Sequence, residues 1–310
     1  MPTPLQILQQ YWQHDGFRGR QETIITAVLQ QKDCLALLPT GGGKSICFQV
    51  PTMLMDGLCL VVTPLIALMK DQVENLQKKG IQALYINSGM SFYEVKETLE
   101  KAISGEYKFL YVSPERLESN LFKNYIHAIN ICLLAVDEAH CISQWGYDFR
   151  PSYLKIGKLK QQLDNVPIIA LTASATPLVQ DDIITKLQLA DKLVFRQSFE
   201  RANLSYSVFN VDSKINKAIT ILTNVAGSSI VYCRNRNQTK TVAHLLQLQN
   251  ISADFYHAGL PQVERNNKQQ NWITNKTRVM VCTNAFGMGI DKPDVRTVIH
   301  YDTPDCLENY

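Results

Sequence analysis

In "LLPTGGGKSICFQ", residues 37–49, three successive glycines join an apolar run to a helix-like stretch. The run that leads into it, "CLALLP", is continuous and does not alternate with polar residues. Such runs are typical of strands buried on both faces of a parallel sheet, whose connections are usually helices. The stretch therefore predicts a strand, a glycine turn and a helix in that order.

Similar apolar runs recur downstream, as "LCLVVTP", "KFLYVSP", "CLLAVDE" and "PIIALTAS". Amphipathic stretches separate them. In "LIALMKDQVENLQKKG", apolar residues from Leu65 to Leu76 keep helical spacing until Gly80 ends the helix. This alternation predicts a doubly wound α/β domain.

A second series of runs, "SSIVYC", "SADFYHAG", "RVMVCT" and "RTVIHYD", also alternates with helical stretches such as "NQTKTVAHLLQLQN". We therefore predict two α/β domains of related design, over residues 1–205 and 206–310. Ligands of such sheets bind at the carboxyl ends of the strands.

The composition is that of an ordinary globular protein, with 45% apolar and 19% charged residues and no low-complexity run. The net charge of +3 falls entirely on residues 206–310, a bias too mild to indicate nucleic-acid binding by itself. No segment reaches membrane-spanning length, and no basic start precedes an apolar stretch. We therefore predict a cytoplasmic protein without a membrane partner.

The cysteines form no Cys-x-x-Cys pair, and most lie in or beside strand-like runs. We predict buried side chains in a reducing compartment, and no zinc site within this chain. The residues concerned are Cys34, Cys47, Cys59, Cys132, Cys141, Cys233, Cys282 and Cys306.

The glycine loop is suited to a phosphate chain, because glycines let successive N–H groups face the phosphates. Lys44 would reach the outer phosphates of ATP, and the Ser45 hydroxyl would ligate Mg²⁺. The first glycine of the strict G-x-x-x-x-G-K-[ST] pattern is Leu38 here, so a glycine-rich turn with a surface lysine is the alternative. The predicted phosphate-binding residues are Thr40, Gly41, Gly42, Gly43, Lys44 and Ser45.

A pair of acids, Asp137 and Glu138, follows the apolar run "CLLAV". Asp137 can hold the magnesium ion, and Glu138 can orient the attacking water. An acid pair at a strand end is common in isolation. Together with the upstream glycine loop, it predicts that Lys44, Asp137 and Glu138 are the catalytic residues.

Aromatic residues follow the acids within "VDEAHCISQWGYDFRPSY", residues 136–153. Flat rings such as Trp145 and Phe149 stack on bases of any identity, and Arg150 adds a phosphate contact or further stacking. The segment predicts a link between ATP chemistry and a bound nucleic-acid strand. The alternative is that the rings only pin the loop to the domain.

Seven segments resemble, in this order, a RecQ-family DNA helicase: "TGGGKS", "VVTPLIALMKDQ", "YVSPERL", "VDEAHCISQWG" with "DFRP", "ALTASAT", "HAGL" and "FGMGIDKPDVR". The resemblance covers essentially the whole chain. The aromatic loop distinguishes it from RNA helicases of related build. The resemblance implies an α/β fold of two tandem RecA-like doubly wound parallel-sheet domains, the second truncated at its C-terminus.

The resemblance also implies an adenine-reading segment, "WQHDGFRGRQ" at residues 12–21. Gln21 resembles a glutamine that pairs with the adenine edge, and Arg18 resembles an arginine beside the base. His14 takes the stacking position where relatives often carry tyrosine. Gly289 and Asp291 resemble residues that close over the ribose and phosphates.

Further positions match functional segments of the family. One of these is a hydroxyl-rich segment that transmits changes at the γ-phosphate by exchanging hydrogen bonds; the residues that resemble it are Thr172, Ser174 and Thr176. The alternative is that these hydroxyls only cap a strand end. Tyr147 stands where relatives often carry histidine. Besides Trp145, Phe149 and Arg150, the DNA-binding residues implied are Pro64, Leu65, Ser113, Arg116, Arg234, His257 and Thr283, each of which could instead be an ordinary turn residue.

The function implied by the resemblance is that of a 3′–5′ DNA helicase that uses ATP and Mg²⁺. It would couple hydrolysis to translocation on single-stranded DNA and to unwinding in DNA repair and recombination, acting as a monomer on DNA junctions. In a bacterium it would associate with the nucleoid. The alternatives are a nucleotide-gated DNA-binding module without unwinding and an RNA helicase.

The chain departs from the family at its end. The family's last helicase motif follows "PxSIExYYQE" and contains an arginine, whereas "TPDCLENY" matches only its start, at Glu308 and Tyr310. The zinc-binding and winged-helix region is also absent. An arginine finger contributes about 10³–10⁵-fold in comparable enzymes. We therefore expect a truncated fragment that binds ATP and DNA but hydrolyses and unwinds poorly.

Overall fold

The computed structural model describes residues 2–146, 148–163, 165–191, 193–198, 200, 203–287, 290 and 292–304. The chain divides into two compact units, Met1–Ala202 (unit 1) and Asn203–Tyr310 (unit 2). The domain boundary predicted between residues 205 and 206 lies near this division and stays a prediction.

Unit 1 contains a seven-stranded sheet in which every pairing is parallel. Its strands are β1 (Cys34–Leu37), β2 (Leu58–Val62), β3 (Ala83–Ile86), β4 (Phe109–Val112), β5 (Ile131–Val136), β6 (Ile168–Thr172) and β7 (Leu193–Arg196). Their order across the sheet is β3-β4-β2-β5-β6-β1-β7.

Helices cover both faces of this sheet. They are α1 (Pro4–Trp12), α2 (Gln21–Leu29), α3 (Ile46–Leu54), α4 (Ile66–Lys78), α5 (Phe92–Ile103), α6 (Asn120–Ile126), α7 (Leu154–Gln162) and α8 (Pro177–Leu187). Alternate residues of β1 face the two layers. Leu35 and Leu37 pack with α5 to α8, while Cys34 and Ala36 pack with α2 to α4. The period-2 alternation of strand side chains produces this division.

The five apolar runs predicted as buried strands of unit 1 are β1, β2, β4, β5 and β6. The runs do not predict β3 and β7, which form the two edges of the sheet. Both edge strands are less buried than the central strands, with two partly buried residues in β3 and no fully buried residue in β7. The helix predicted from Leu65 is α4, and Gly80 beyond its end has φ +77°, a left-handed conformation that favours glycine.

Unit 2 contains a smaller parallel sheet of four strands, in the order β11-β8-β10-β9. Its strands are β8 (Ser228–Tyr232), β9 (Ala253–Tyr256), β10 (Val279–Cys282) and β11 (Val295–His300). Its helices are α9 (Lys214–Asn224), α10 (Arg236–Leu248) and α11 (Gln262–Ile273). One core packs α9 and α10 on the sheet, and another surrounds Trp272 of α11 on the opposite face. The prediction of two parallel α/β domains is confirmed.

The seven cysteines within the described ranges are all buried and free, as predicted; Cys306 lies outside those ranges. None of the described helices is both long enough and apolar enough to cross a membrane.

Candidate active site

The sheet order of unit 1 arranges the predicted site residues along one edge. Because all the strands are parallel, the loops after β4, β2, β5, β6 and β1 follow one another along the carboxyl edge. The glycine loop follows β1, and the loops of Pro64 and Ser113 follow β2 and β4. The 137–153 segment follows β5, which lies between these two groups of strands.

The glycine loop has a backbone that only glycine adopts easily. Gly41 and Gly43 have φ values of +75° and +72°. The Gly42 N–H donates to the Pro39 carbonyl at 2.9 Å, and a Cβ atom added at Gly42 would lie 2.8 Å from that oxygen. Thr40 before them is exposed, and Ser45 stands directly before α3 without using its side chain as a cap.

Gln21 joins the predicted adenine-reading segment to the glycine loop. Its Nε2 atom donates to the carbonyls of Gly42 and Gly43, both at 3.2 Å, and its Oε1 atom accepts from the Arg18 N–H at 2.8 Å. The side chain is buried, while His14 and Arg18 are exposed. Gln21 therefore shapes the loop, and its pairing with adenine stays a prediction.

The acid pair lies in a fixed turn at the end of β5. The Asp137 N–H donates to the Val62 carbonyl at 2.9 Å, and Glu138 has a left-handed backbone with φ +46°. The Glu138 carboxylate lies 3.8 Å from Nζ of Lys44 and 3.4 Å from Nδ1 of His140. The structure thus brings together the predicted phosphate-binding lysine and the predicted water-orienting acid.

Burial raises the pKa of Asp137 above its usual range; the negative charge of Glu138 acts in the same direction, and Lys44 opposes it. No ion pair among the described residues includes Asp137; those at this turn are made by Glu138. A partly buried carboxylate that makes no ion pair among the described residues fits a divalent cation. The Ser45 hydroxyl is a second oxygen donor of the kind that Mg²⁺ prefers. Within the described ranges, no group of three or more His, Cys, Asp or Glu residues could hold a metal by itself.

His140 is a site residue that reasoning from the sequence missed. Its ring is buried, and burial lowers its pKa to about 4, so the imidazole is neutral at pH 7. Nδ1 lies 2.9 Å from Oγ1 of Thr172, which in turn donates to the Ser174 carbonyl at 3.1 Å. Thr176 caps α8 by accepting from the Val179 N–H. His140 therefore connects the acid turn to the first two residues of the hydroxyl-rich segment. Its position two residues after Glu138 in the sequence was the available signal.

The aromatic part of the 137–153 segment is open to solvent at Trp145, whose side chain is 70% exposed. Phe149 and Arg150 are half-buried, and Tyr147 lies outside the described residues. The exposure of the Trp145 ring favours base stacking over the alternative that it only holds the loop against the domain, and its DNA-binding role stays a prediction. An exposed indole can stack on a base.

Both ends of this aromatic part are held by hydrogen bonds. At its start, the Ser143 hydroxyl donates to Asp182 at 2.7 Å and accepts from the Trp145 N–H at 3.2 Å. At its end, the Arg150 N–H donates to the Cys141 carbonyl at 2.8 Å. The Arg150 guanidinium donates to Asp148 at 3.0 Å and to the Pro64 carbonyl at 3.3 Å. Arg150 thereby joins the segment to the loop after β2.

The other predicted DNA contacts of unit 1 differ in their surroundings. Pro64 and Leu65 are half-buried directly after β2. Ser113 is buried, and its hydroxyl has no hydrogen-bond partner in the described part of the chain. Arg116 donates to the carbonyls of Asn87, Ser88 and Met90, so its guanidinium shapes the loop after β3.

In unit 2, Arg234, His257 and Thr283 follow three adjacent strands, β8, β9 and β10. The Arg234 residue is exposed and its N–H donates to Asp302 at 3.2 Å. His257 is buried, and neither ring nitrogen has a hydrogen-bond partner among the described residues. Gly289 and Asp291 lie outside the described residues.

Comparisons with known proteins agree with this geometry. Residues 18–182 match the family model of the DEAD/DEAH box helicases, and residues 213–310 match that of the helicase conserved C-terminal domain. The ATP-dependent DNA helicase RecQ of Haemophilus influenzae is 42% identical over 100% of this chain and 50% of its own length. The probable ATP-dependent DNA helicase RecS of Bacillus subtilis is 42% identical over 98% of this chain and 62% of its own length.

A solved structure shows the same fold at low identity. S. cerevisiae Dbp5 bound to RNA and ADP BeF3 superimposes with a TM-score of 0.74 and 17% identity, over 99% of this chain and 80% of Dbp5. This likeness concerns the fold alone, two tandem RecA-like α/β domains. The chain spans 50% and 62% of the two bacterial relatives. Its first family match covers more than half of its residues, and its identity to the relatives extends along its whole length. The chain therefore belongs to the DEAD/DEAH box helicases, and along its whole length it is similar to bacterial RecQ and RecS helicases.

Proposed function

We propose that this chain is the core of an ATP-dependent DNA helicase, in which ATP hydrolysis drives movement along one DNA strand. The observation that carries the proposal is the 137–153 segment. It begins with a half-buried acid pair, in which Glu138 lies 3.8 Å from Lys44, and continues to an exposed Trp145. The segment follows β5, the strand that lies between the strand before the glycine loop and the strands β2 and β4. The names of the bacterial relatives support ATP as the nucleotide that is hydrolysed and DNA as the nucleic acid that is bound.

The roles of the residues follow from their chemistry. The glycine loop and Lys44 would bind the phosphates, and Ser45 and Asp137 would hold the magnesium ion. When bound, Mg²⁺ offsets the charge that develops on the phosphate oxygens. Glu138 would orient the attacking water and accept its proton, because its carboxylate is held between Lys44 and the neutral His140.

Finer statements rest on the family resemblance alone. They are the 3′–5′ direction, unwinding, the preference for single-stranded DNA and DNA junctions, roles in repair and recombination, a monomeric state and a cytoplasmic location. The expectations of weak activity and of no zinc within this chain also stay predictions.

The proposal is tested by single-turnover ATP hydrolysis, with the protein in excess so that slow turnover is measurable. Hydrolysis is compared without nucleic acid, with a DNA oligonucleotide and with an RNA oligonucleotide of the same sequence. We expect DNA to stimulate hydrolysis more than RNA does, and Lys44→Ala to abolish both the basal and the stimulated rates. Equal or greater stimulation by RNA would favour an RNA helicase. DNA binding that responds to nucleotide without stimulated hydrolysis would favour a nucleotide-gated binding module.

A further inference from the structure

Tyr153 is a fully buried residue whose one polar side-chain atom contacts the acid turn. It ends a 3₁₀ turn over Pro151–Tyr153, directly after the aromatic part of the 137–153 segment. Its ring is 0% exposed, and its hydroxyl donates to the backbone carbonyl of Asp137 at 2.9 Å. The hydroxyl therefore joins the end of the segment to its beginning.

The peptide that Tyr153 contacts precedes a strained residue. Glu138 has φ +46°, a left-handed conformation that is unfavourable for a residue with a side chain. Both hydrogen-bonding groups of the 137–138 peptide are occupied. Its carbonyl accepts from Tyr153, and its N–H donates to Oδ1 of Asp137 at 3.0 Å. The orientation of this peptide determines where the Glu138 carboxylate lies relative to Lys44.

The backbone of Tyr153 is coupled to the aromatic end of the same segment. Its N–H donates to the Arg150 carbonyl at 2.9 Å across the 3₁₀ turn. Arg150 donates to the Pro64 carbonyl after β2 and lies next to Phe149, a residue predicted to contact DNA. A displacement of Arg150 by a bound strand would therefore move the 3₁₀ turn, and the buried phenol ring would carry that movement to the Asp137 carbonyl.

We propose that Tyr153 is the positioning residue through which DNA binding sets the orientation of the Asp137–Glu138 peptide, and through which nucleotide binding acts on the DNA-binding loop. The proposal rests on the proposed function, because it names the connection between its two sites. Tyr153 touches neither substrate, and it acts through the backbone of Asp137.

The test compares Tyr153→Phe with a matched control, Tyr111→Phe. Each variant removes only a buried hydroxyl from unit 1. The hydroxyl of Tyr111 accepts from Nε2 of Gln49 at 3.2 Å in another part of the core. The affinity of the chain for a fluorescein-labelled oligothymidylate is measured with and without the non-hydrolysable analogue AMP-PNP. The ratio of the two dissociation constants reports the coupling between the sites.

We expect Tyr153→Phe to bind oligothymidylate alone and AMP-PNP alone as the unmodified chain does, and to reduce the coupling ratio by about fivefold, the equivalent of one lost hydrogen bond. Tyr111→Phe should keep the ratio of the unmodified chain, with a similar melting temperature.

Three outcomes would overturn the inference. In the first, Tyr153→Phe keeps the coupling ratio of the unmodified chain. In the second, it weakens the binding of oligothymidylate alone and of AMP-PNP alone. In the third, Tyr111→Phe reduces the coupling ratio as much as Tyr153→Phe does. If AMP-PNP did not change the affinity of the unmodified chain for oligothymidylate, the proposed function would be overturned as well. This result is distinguishable from a failure of the Tyr153 proposal, because it is measured without any variant.

Discussion

The two parts of the 137–153 segment are built in opposite ways. At its beginning, Asp137 and His140 are engaged in hydrogen bonds, and Glu138 lies between two nitrogen atoms in a strained turn. In its middle, the Trp145 N–H donates to the Ser143 hydroxyl, and the ring is exposed among the described residues. Hydrolysis needs groups that are oriented before the reaction, whereas base stacking needs an accessible flat surface. A single segment meets both needs because its polar anchors are concentrated on either side of the ring.

The largest effect is expected from a change in the acid turn. Glu138→Gln keeps the size of the side chain but removes the carboxylate that accepts a proton, so the rate of ATP hydrolysis should fall by about 10²–10⁴-fold. Affinity for AMP-PNP should stay close to that of the unmodified chain, since Lys44 and the glycine loop remain. Single-turnover hydrolysis and nucleotide titration measure the two quantities. Hydrolysis at an unchanged rate would remove Glu138 from the assigned role.

An intermediate effect is expected from the exposed ring. Trp145→Ala should weaken oligothymidylate binding by about 1–3 kcal/mol, because one stacking surface is lost. The melting temperature should not change, since the side chain is 70% exposed and contributes little to the core. Trp145→Phe is the control, because it keeps a flat ring and should retain most of the affinity. If Trp145→Ala bound DNA normally, the strand would have to lie elsewhere on the chain.

The smallest effect is expected at the junction of the two parts. Asp182 of α8 accepts from the Ser143 hydroxyl at 2.7 Å and from Lys186 at 2.8 Å. Asp182→Asn weakens both bonds, so the free energy of unfolding at pH 7 should fall by about 1 kcal/mol. Urea denaturation measures this loss of stability. The affinity for oligothymidylate is measured as well, and it shows whether the hydrogen bond at the start of the aromatic part also affects DNA binding.

The stability that Asp182→Asn removes depends on pH in a defined direction. Burial alone would raise the pKa of Asp182, but the hydrogen bonds from Lys186 and Ser143 lower it below its ordinary value. A carboxylate whose pKa is lower in the folded state stabilises the fold fully above its unfolded pKa of about 3.9. That stability is lost as the pH falls through the folded value. The difference between the unmodified chain and Asp182→Asn should therefore be constant from pH 7 to pH 5 and shrink in more acidic urea titrations. A constant difference at all pH values would contradict this account.

Prediction from the sequence succeeded where the signal is local. Continuous apolar runs identified β5 and β1 because central parallel strands are buried on both faces. It did not identify β3 and β7, the two edge strands, which are less buried than the central strands. It also missed His140, Tyr153 and Asp182. Their side chains resemble those of ordinary core and surface residues, and their contacts join positions distant in sequence.

The order of the elements, the glycine loop with Lys44 and the position of the acids at a strand end can all be read from the amino-acid sequence alone. These features depend on residue type and on short spacing, because backbone freedom, burial and charge are local properties. Two features become visible only in the folded unit: β5 lies between the strands that precede the two groups of loops, and Tyr153 contacts the Asp137 carbonyl. Sheet order and hydrogen bonds between distant residues result from packing of the whole unit, and no short stretch of sequence specifies them.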